Sequence, residues 1–184
     1  MNYAGIGSRE TPPDVIKIME DIGTLMAIDG HICNTGACTG ADQAFANGAN
    51  KVQGPIELSI PWGNYESAWI ATLHNKNVTV FHDKTHTKAA ESVHKYHPGA
   101  GRLSQGAFKL HARNYLIIEG CSLIICWTPG GKESGGTGQA LRLSKDLGIP
   151  VLNLGDTETL IRFIERIKAR QGELDAYTKH SAPE

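Results

Sequence analysis

The residues of this chain best equipped for chemistry are glycines with polar neighbours. Gly5-Ile6-Gly7-Ser8-Arg9 puts backbone amides, a hydroxyl and a guanidinium in one turn, the set of donors that meets a phosphate. Thr35-Gly36-Ala37-Cys38-Thr39-Gly40-Ala41-Asp42 is a small-residue turn running into a helix, whose N-terminal end favours an anion. Pro129-Gly130-Gly131 and Gly135-Gly136-Thr137-Gly138 form a third cluster, in which glycine lets the backbone approach a ligand and Thr137 can cap the helix that follows. Any one cluster is explained by a tight strand-to-helix turn. Three of them at one edge of a sheet point to a phosphate-bearing ligand.

Other polar residues carry two readings each. Arg9 either contacts phosphate or makes a surface ion pair. Arg113 and Asn114 interrupt an otherwise apolar helix, and a buried arginine must be paired or lie against an anionic ligand. Asp42 either meets a ribose hydroxyl or stabilises its helix N-terminus. Trp62 and Trp127 each follow a strand, and either stacks on a base or packs at the rim. The ligand set read this way is Gly7, Ser8, Arg9, Gly36, Gly40, Asp42, Trp62, Arg113, Asn114, Trp127, Gly135, Gly136, Thr137 and Gly138. The phosphates would sit on the amides of Gly7, Ser8 and Gly135 to Gly138, the ribose near Asp42, and the base near one of the two tryptophans.

Five of the eight histidines, His82, His86, His94, His97 and His111, fall in one stretch. No HExxH or acid-rich pattern accompanies them, so the reading is a solvated flap, with Tyr96 to Arg102 acting as a lid, and neither a metal nor a cofactor is expected. Cys33, Cys38, Cys121 and Cys126 have C-x4-C spacing, wider than most zinc knuckles, and read as free thiols. There is no G-x-x-x-x-G-K-S/T, which excludes a P-loop, and Gly5-Ile6-Gly7 lacks the third glycine of G-x-G-x-x-G.

These residues must be positioned by alternating strands and helices. Strands are expected at 2–6, 31–34, 56–60, 78–81, 122–127 and 149–153. A helix with Thr11 as N-cap carries the stripe Val15, Ile18, Met19, Ile22, Leu25, Met26, spaced by three and four. Further helices are expected through Phe45, over about 65–73, over 104–119, over 139–147 after a loop at 128–138, and after the cap Asp156, with Leu160, Ile161, Ile164 and Ile167 on one face. Residues 82–103 read as the least regular part. This rhythm implies an α/β three-layer Rossmann-like sandwich with a mostly parallel sheet, in which ligands sit at the carboxyl ends of the strands.

The chain has 184 residues, 40% hydrophobic and 20% charged, with a net charge of −1. That bounds it to one domain, expected over 1–170, with a polar, frayed tail over 171–184. The balanced charge and the lack of a basic stripe disfavour nucleic acid as a partner. No run of about 18 apolar residues is present, so no membrane association is expected, and without a signal-peptide pattern the expected location is the cytoplasm.

The four motifs Gly5 to Arg9, Thr35 to Asp42, Arg113-Asn114 and Gly135 to Ala140, in that order, resemble the SMF/DprA-LOG (SLOG) superfamily, most closely its compact DprA-like members of phages and bacteria. The resemblance covers residues 3 to about 154. It implies a Rossmann-like nucleotide-binding domain and a homodimer or higher homo-oligomer. LOG-type members hydrolyse nucleoside 5′-monophosphates, DprA proteins bind single-stranded DNA, and other SLOG domains sense ADP-ribose or its cyclic derivatives. Arg113 matches the LOG arginine, but Leu141 or Arg142 stands where the LOG glutamate belongs. An oxocarbenium-like transition state needs a nearby anion, so hydrolysis would have to recruit Glu10, Asp42 or Glu133. The expectation is therefore a binder of a nucleotide-derived, phosphate-containing small molecule, of the ADP-ribose or cyclic-nucleotide kind, that senses or sequesters it. A nucleotide N-glycosidase and a single-stranded DNA binder are the alternatives.

Overall fold

A computed structural model of the protein describes residues 1–82 and 86–180. Among these, six strands form one all-parallel sheet: β1 (Asn2–Gly7), β2 (Ile32–Thr35), β3 (Ile56–Ile60), β4 (Val78–His82), β5 (Leu123–Trp127) and β6 (Val151–Asn153), in the order β4-β3-β2-β1-β5-β6. The chain winds outward from β1 to one edge, then crosses back to β5 and winds the other way. The strand order thus reverses between β1 and β5, where Gly7 pairs with Trp127.

Alternation along the central strands sorts side chains into two cores, as period-two geometry requires. Tyr3, Cys33, Ile56, Leu58, Ile60 and Ile125 face the layer of α1 (Pro13–Ile28), α2 (Ala41–Lys51), α7 (Thr157–Ala169) and α8 (Gln171–His180). Ala4, Ile6, Ile124 and Cys126 face the layer of α4 (Thr87–Tyr96), α5 (Gln105–Ile118) and α6 (Gly135–Asp146). β5 is buried on both faces, which explains its unbroken apolar run. A single turn, α3 (Ser67–Ile70), packs on the α1/α2-side core, with Trp69 Nε1 donating to Asn47 Oδ1 of α2 at 3.2 Å.

The expected cap Asp156 is present, its Oδ2 accepting from the Thr159 amide, and Ser104 Oγ, expected only at the start of a helix, likewise accepts from the Ala107 amide, satisfying amides left free at helix starts. Other expectations need correction. Pro12 occupies the N-cap position of α1, while Thr11 Oγ1 donates to the Ser8 carbonyl at 2.6 Å. The glycine run expected in a loop is the first turn of α6, with Thr137 inside the helix and Ser134 at its N-cap position. The helix expected over 65–73 is confined to α3. The stretch read as irregular holds the end of β4 and all of α4.

On α7, Ile167 is buried but Ile161 is exposed. The tail expected to fray forms α8, with Leu174 buried in the core. Residues 83–85 of the flap and 181–184 of the tail lie outside the described residues. No helix among the described residues is long and apolar enough to cross a membrane.

Candidate functional site

At the β1/β5 reversal the sheet opens into a cleft of about 530 Å³, within the ~300–1,000 Å³ usual for small-molecule sites. Its walls come from three places. The turn after β1 contributes Gly7, Ser8, Arg9 and Glu10; α5 contributes Leu110, His111, Arg113 and Asn114; and the start of α6 contributes Ser134, Gly135, Gly136 and Thr137. Cys38 and Asp42 lie between the first two groups. On α5 the lining residues Leu110, Arg113 and Asn114 follow the three-and-four spacing of one helix face.

At the centre of the cleft wall is a buried ion pair. Arg113 Nη1 lies 3.4 Å from Asp42 Oδ2, with side chains only 6% and 5% exposed. That is longer than the roughly 2.7–2.9 Å of a strong charge-assisted bond. Accordingly, burial outweighs Arg113 and raises the pKa of Asp42, although the amides of Cys38 and Gly7 also point at the carboxylate. Arg113 Nη2 donates to Cys38 Sγ at 2.8 Å, Nη1 reaches the Ser59 carbonyl at 3.5 Å, and Nε has no partner. Its guanidinium also lies 5.9 Å from the centre of the Tyr65 ring.

Gly36 makes this arrangement possible, because a Cβ there would stand 1.3 Å from Arg113 Nη1. Gly7 similarly lets the first turn lie against α2, where a Cβ would come within 2.5 Å of the Ala41 methyl.

Two further buried polar atoms without partners flank the cleft, Nδ1 of His111 and Nε2 of Gln139. Gln139 Oε1 accepts from Asn114 Nδ2 at 2.8 Å. Burial, with His97, Arg113 and Arg142 adding, pushes His111 down to about 4. It therefore faces the cleft as a neutral imidazole at physiological pH, with the His97 ring 4.3 Å away. The C-terminal end of α4 is tied to α6: Arg142 Nε donates to the Tyr96 carbonyl at 2.7 Å and the Tyr96 hydroxyl to Asp146 Oδ2 at 2.6 Å.

The expected ligand set is thus partly assembled and partly corrected. Gly7, Ser8, Arg9, Asp42, Arg113, Asn114, Gly135, Gly136 and Thr137 line the cleft. However, the Gly7 amide points at Asp42 and the Ser8 amide donates to the Trp127 carbonyl at 3.2 Å, so neither is free to hold a phosphate. Gly36 and Gly40 shape the wall from beneath, and Gly40 takes φ +98° under the Ser8 carbonyl. Gly138 packs on the Glu133 backbone, and its amide donates to the Ser134 carbonyl.

Neither tryptophan lines the cleft. Trp127 packs into the α1/α2 core and Trp62 sits edge-on to Tyr65, 5.2 Å between ring centres. Of the candidate carboxylates, Asp42 is held under Arg113, Glu133 pairs with Lys145, and only Glu10 stands on the cleft wall exposed.

Cys38, His111, Leu110 and Pro129 line the cleft although the expected ligand set left them out, Cys38 and Pro129 standing inside two of the quoted motifs. For His111 and Leu110 a signal existed: both fall within a turn of Arg113 on one helix. All four cysteines are free thiols.

No family model and no curated protein matches the chain. Solved structures do match its fold. DNA processing protein A from Helicobacter pylori, described for its single-stranded DNA binding mode, aligns over 90% of this chain and 72% of its own, with TM-score 0.59 and 17% identity. DNA processing protein A (DprA) from Streptococcus pneumoniae gives TM-score 0.59 and 19% identity over 90% of this chain, which spans 56% of that protein. The Moco carrier protein of Chlamydomonas rheinhardtii gives TM-score 0.52 and 16% identity, covering 91% of this chain and 83% of its own. The chain therefore shares its Rossmann-like α/β fold with these proteins.

Proposed function

We propose that the cleft binds a nucleotide-derived, phosphate-containing small molecule of the ADP-ribose or cyclic-nucleotide kind, for sensing or sequestration. One observation carries this reading: Arg9, Arg113, the Ser8 hydroxyl and the opening amides of α6 converge on one cavity at the sheet's reversal point. The first amides of a helix have no partner within it and carry the positive end of its dipole, so Gly135, Gly136 and Thr137 form an anion cradle. With the Gly7 and Ser8 amides engaged elsewhere, the phosphate lies toward α6, with Arg9 and Arg113 supplying charge. The sugar then runs along Asn114 and His111. Leu110, Ile6 and Pro129 supply the apolar surface for a base that the tryptophans do not offer.

Binding is favoured over N-glycosidic hydrolysis by the placement of the carboxylates. A ribosyl cation needs an anion beside it, and Asp42 is covered by Arg113 while Glu133 turns to Lys145, which leaves only the solvent-exposed Glu10 on the cleft wall. Titration calorimetry with ADP-ribose, cyclic ADP-ribose isomers and cyclic dinucleotides tests the proposal. Saturable heat from one of them, weakened at least about tenfold, or ~1.4 kcal/mol, by Arg9→Ala, is the expected result. Uniformly absent heat overturns it, and release of free base from 5′-monophosphates revives the glycosidase. The H. pylori protein's single-stranded DNA binding makes a salt-sensitive gel shift the control for nucleic acid.

A further inference from the structure

Three of the four cysteines are inert by position. Cys33, Cys121 and Cys126 lie in the two cores, and burial pushes each thiol up to about 12. Cys38 differs from them in exposure and in its neighbours. It is partly exposed and lines the cleft, with its sulphur 2.8 Å from Arg113 Nη2, 3.0 Å from the Tyr65 hydroxyl and 3.8 Å from Arg9 Nη2. Burial and the neighbouring sulphur push Tyr65 up to about 12, so its hydroxyl stays protonated and able to donate. Reactive cysteines occupy electropositive, partly exposed settings of this sort.

A second observation concerns the arginine itself. Arg113 reaches the same cleft while 94% buried, its Nε has no partner, and its one carboxylate partner is 3.4 Å away. A buried guanidinium so loosely satisfied has donor capacity left for an incoming anion. Arg9 stands exposed at the cleft's other side, so an anionic reagent entering the cleft meets two cations with the sulphur between them.

We propose that Cys38 is a site of reversible S-thiolation by an anionic low-molecular-weight disulfide, a carboxylate-bearing reagent such as oxidised glutathione. The Cys38 sulphur gives its proton to solvent and attacks one sulphur of the disulfide. A bond from Cys38 to that sulphur forms as the reagent's S–S bond breaks. The electron pair of the broken bond leaves with the departing thiolate, which takes up a proton. Cys38 is oxidised to a mixed disulfide and half of the reagent is reduced to thiol, in the ordinary course of thiol–disulfide exchange. The adduct fills the space between Arg9 and Arg113 and shuts the cleft to other anions. Nothing in this rests on the nucleotide reading: the thiol reacts whatever the cleft otherwise binds.

The test is intact-mass spectrometry and peptide mapping of the full chain treated with oxidised glutathione. We expect one adduct per chain, on Cys38, removed by dithiothreitol and absent from Cys38→Ser. Arg9→Ala, a change at an exposed residue that leaves the core untouched, should take the adduct about tenfold more slowly at low salt. The gap should narrow at high salt and with an uncharged disulfide such as hydroxyethyl disulfide, since a local field of this kind raises association rates about tenfold or more and is screened by ions. No adduct on the native protein, or adducts on Cys33, Cys121 or Cys126 at the rate of Cys38, overturns the site. Equal rates for wild type and Arg9→Ala overturn the recruitment by charge.

Discussion

Arg113 is the residue on which the cleft turns, and its position depends on a glycine far from it in sequence. Gly36→Ala would place a methyl group inside the guanidinium, and with Arg113 packed on all sides the side chain must swing out or the β2 turn must shift. Overpacking of this kind costs about 1–3 kcal/mol. The variant should lose that much stability in denaturant titration and, if the cleft binds an anion through Arg113, should bind it at least about tenfold more weakly. Unchanged affinity would remove Arg113 from the ligand site. His111 provides a pH signature. It is pushed down to about 4 from an ordinary 6.5, so between those values the unfolded chain takes up a proton that the folded one refuses, and stability falls as the pH drops through that window. The melting temperature should decline from pH 7 toward 4.5, and His111→Gln should flatten that limb; an unaltered slope would assign the decline to other groups. The polar break Arg113-Asn114 was readable because a charged pair inside an apolar stripe demands a partner. Cys38 was not readable, because its chemistry comes from Arg9, Tyr65 and Arg113, which only folding brings to it.

The elements holding these residues differ in how openly the sequence announces them. α5 is expected over 104–119, and the structure adds the cap that fixes its start: Ser104 accepts from the Ala107 amide, and its loss by Ser104→Ala should lower stability by about 1 kcal/mol. Thermal denaturation should show that drop with ligand affinity retained, because Arg113 lies more than two turns from the cap; a matching loss of affinity would mean that fraying reaches the cleft. α6 is hidden for an equally physical reason. Glycine disfavours helix by about 1 kcal/mol per residue relative to alanine, so Gly135-Gly136-Thr137-Gly138 reads as loop. The folded chain overrides that preference by packing, since a Cβ at Gly138 would meet the Glu133 backbone at 2.5 Å. The four-residue difference moves the helix start, and with it the anion cradle, to the cleft. The tryptophans mislead in the opposite direction. A strand-end aromatic looks like a stacking platform until the alternation of β5 turns Trp127 toward the α1/α2 core.

Across the whole molecule, the alternation of strands and helices was enough to imply a parallel sheet with helices on both faces, because crossovers between parallel strands need helices and have one hand. Strand order was not, since nothing local to β1 and β5 records that they are neighbours; their pairing is a long-range outcome of two apolar strands each buried on both faces. The same limit applies at the C-terminus, where a polar segment looked separable from a domain ending near residue 170. Instead α8 is anchored at two points. Leu174 is 6% exposed in the α1-side core, and the Arg170 guanidinium bridges Asp29, at the end of α1, to Glu173 with both Asp29 contacts at 2.9 Å. Arg170 correspondingly lowers the pKa of Asp29. Burial of a leucine is worth about 1.5–3 kcal/mol, a large share of the ~5–15 kcal/mol by which domains are stable. Deleting residues 171–184 should therefore lower the melting temperature by several degrees, and Leu174→Ala in the full chain should reproduce most of the fall. A truncated chain that melts where the intact one does would return the domain boundary to residue 170 and leave α8 a surface appendage.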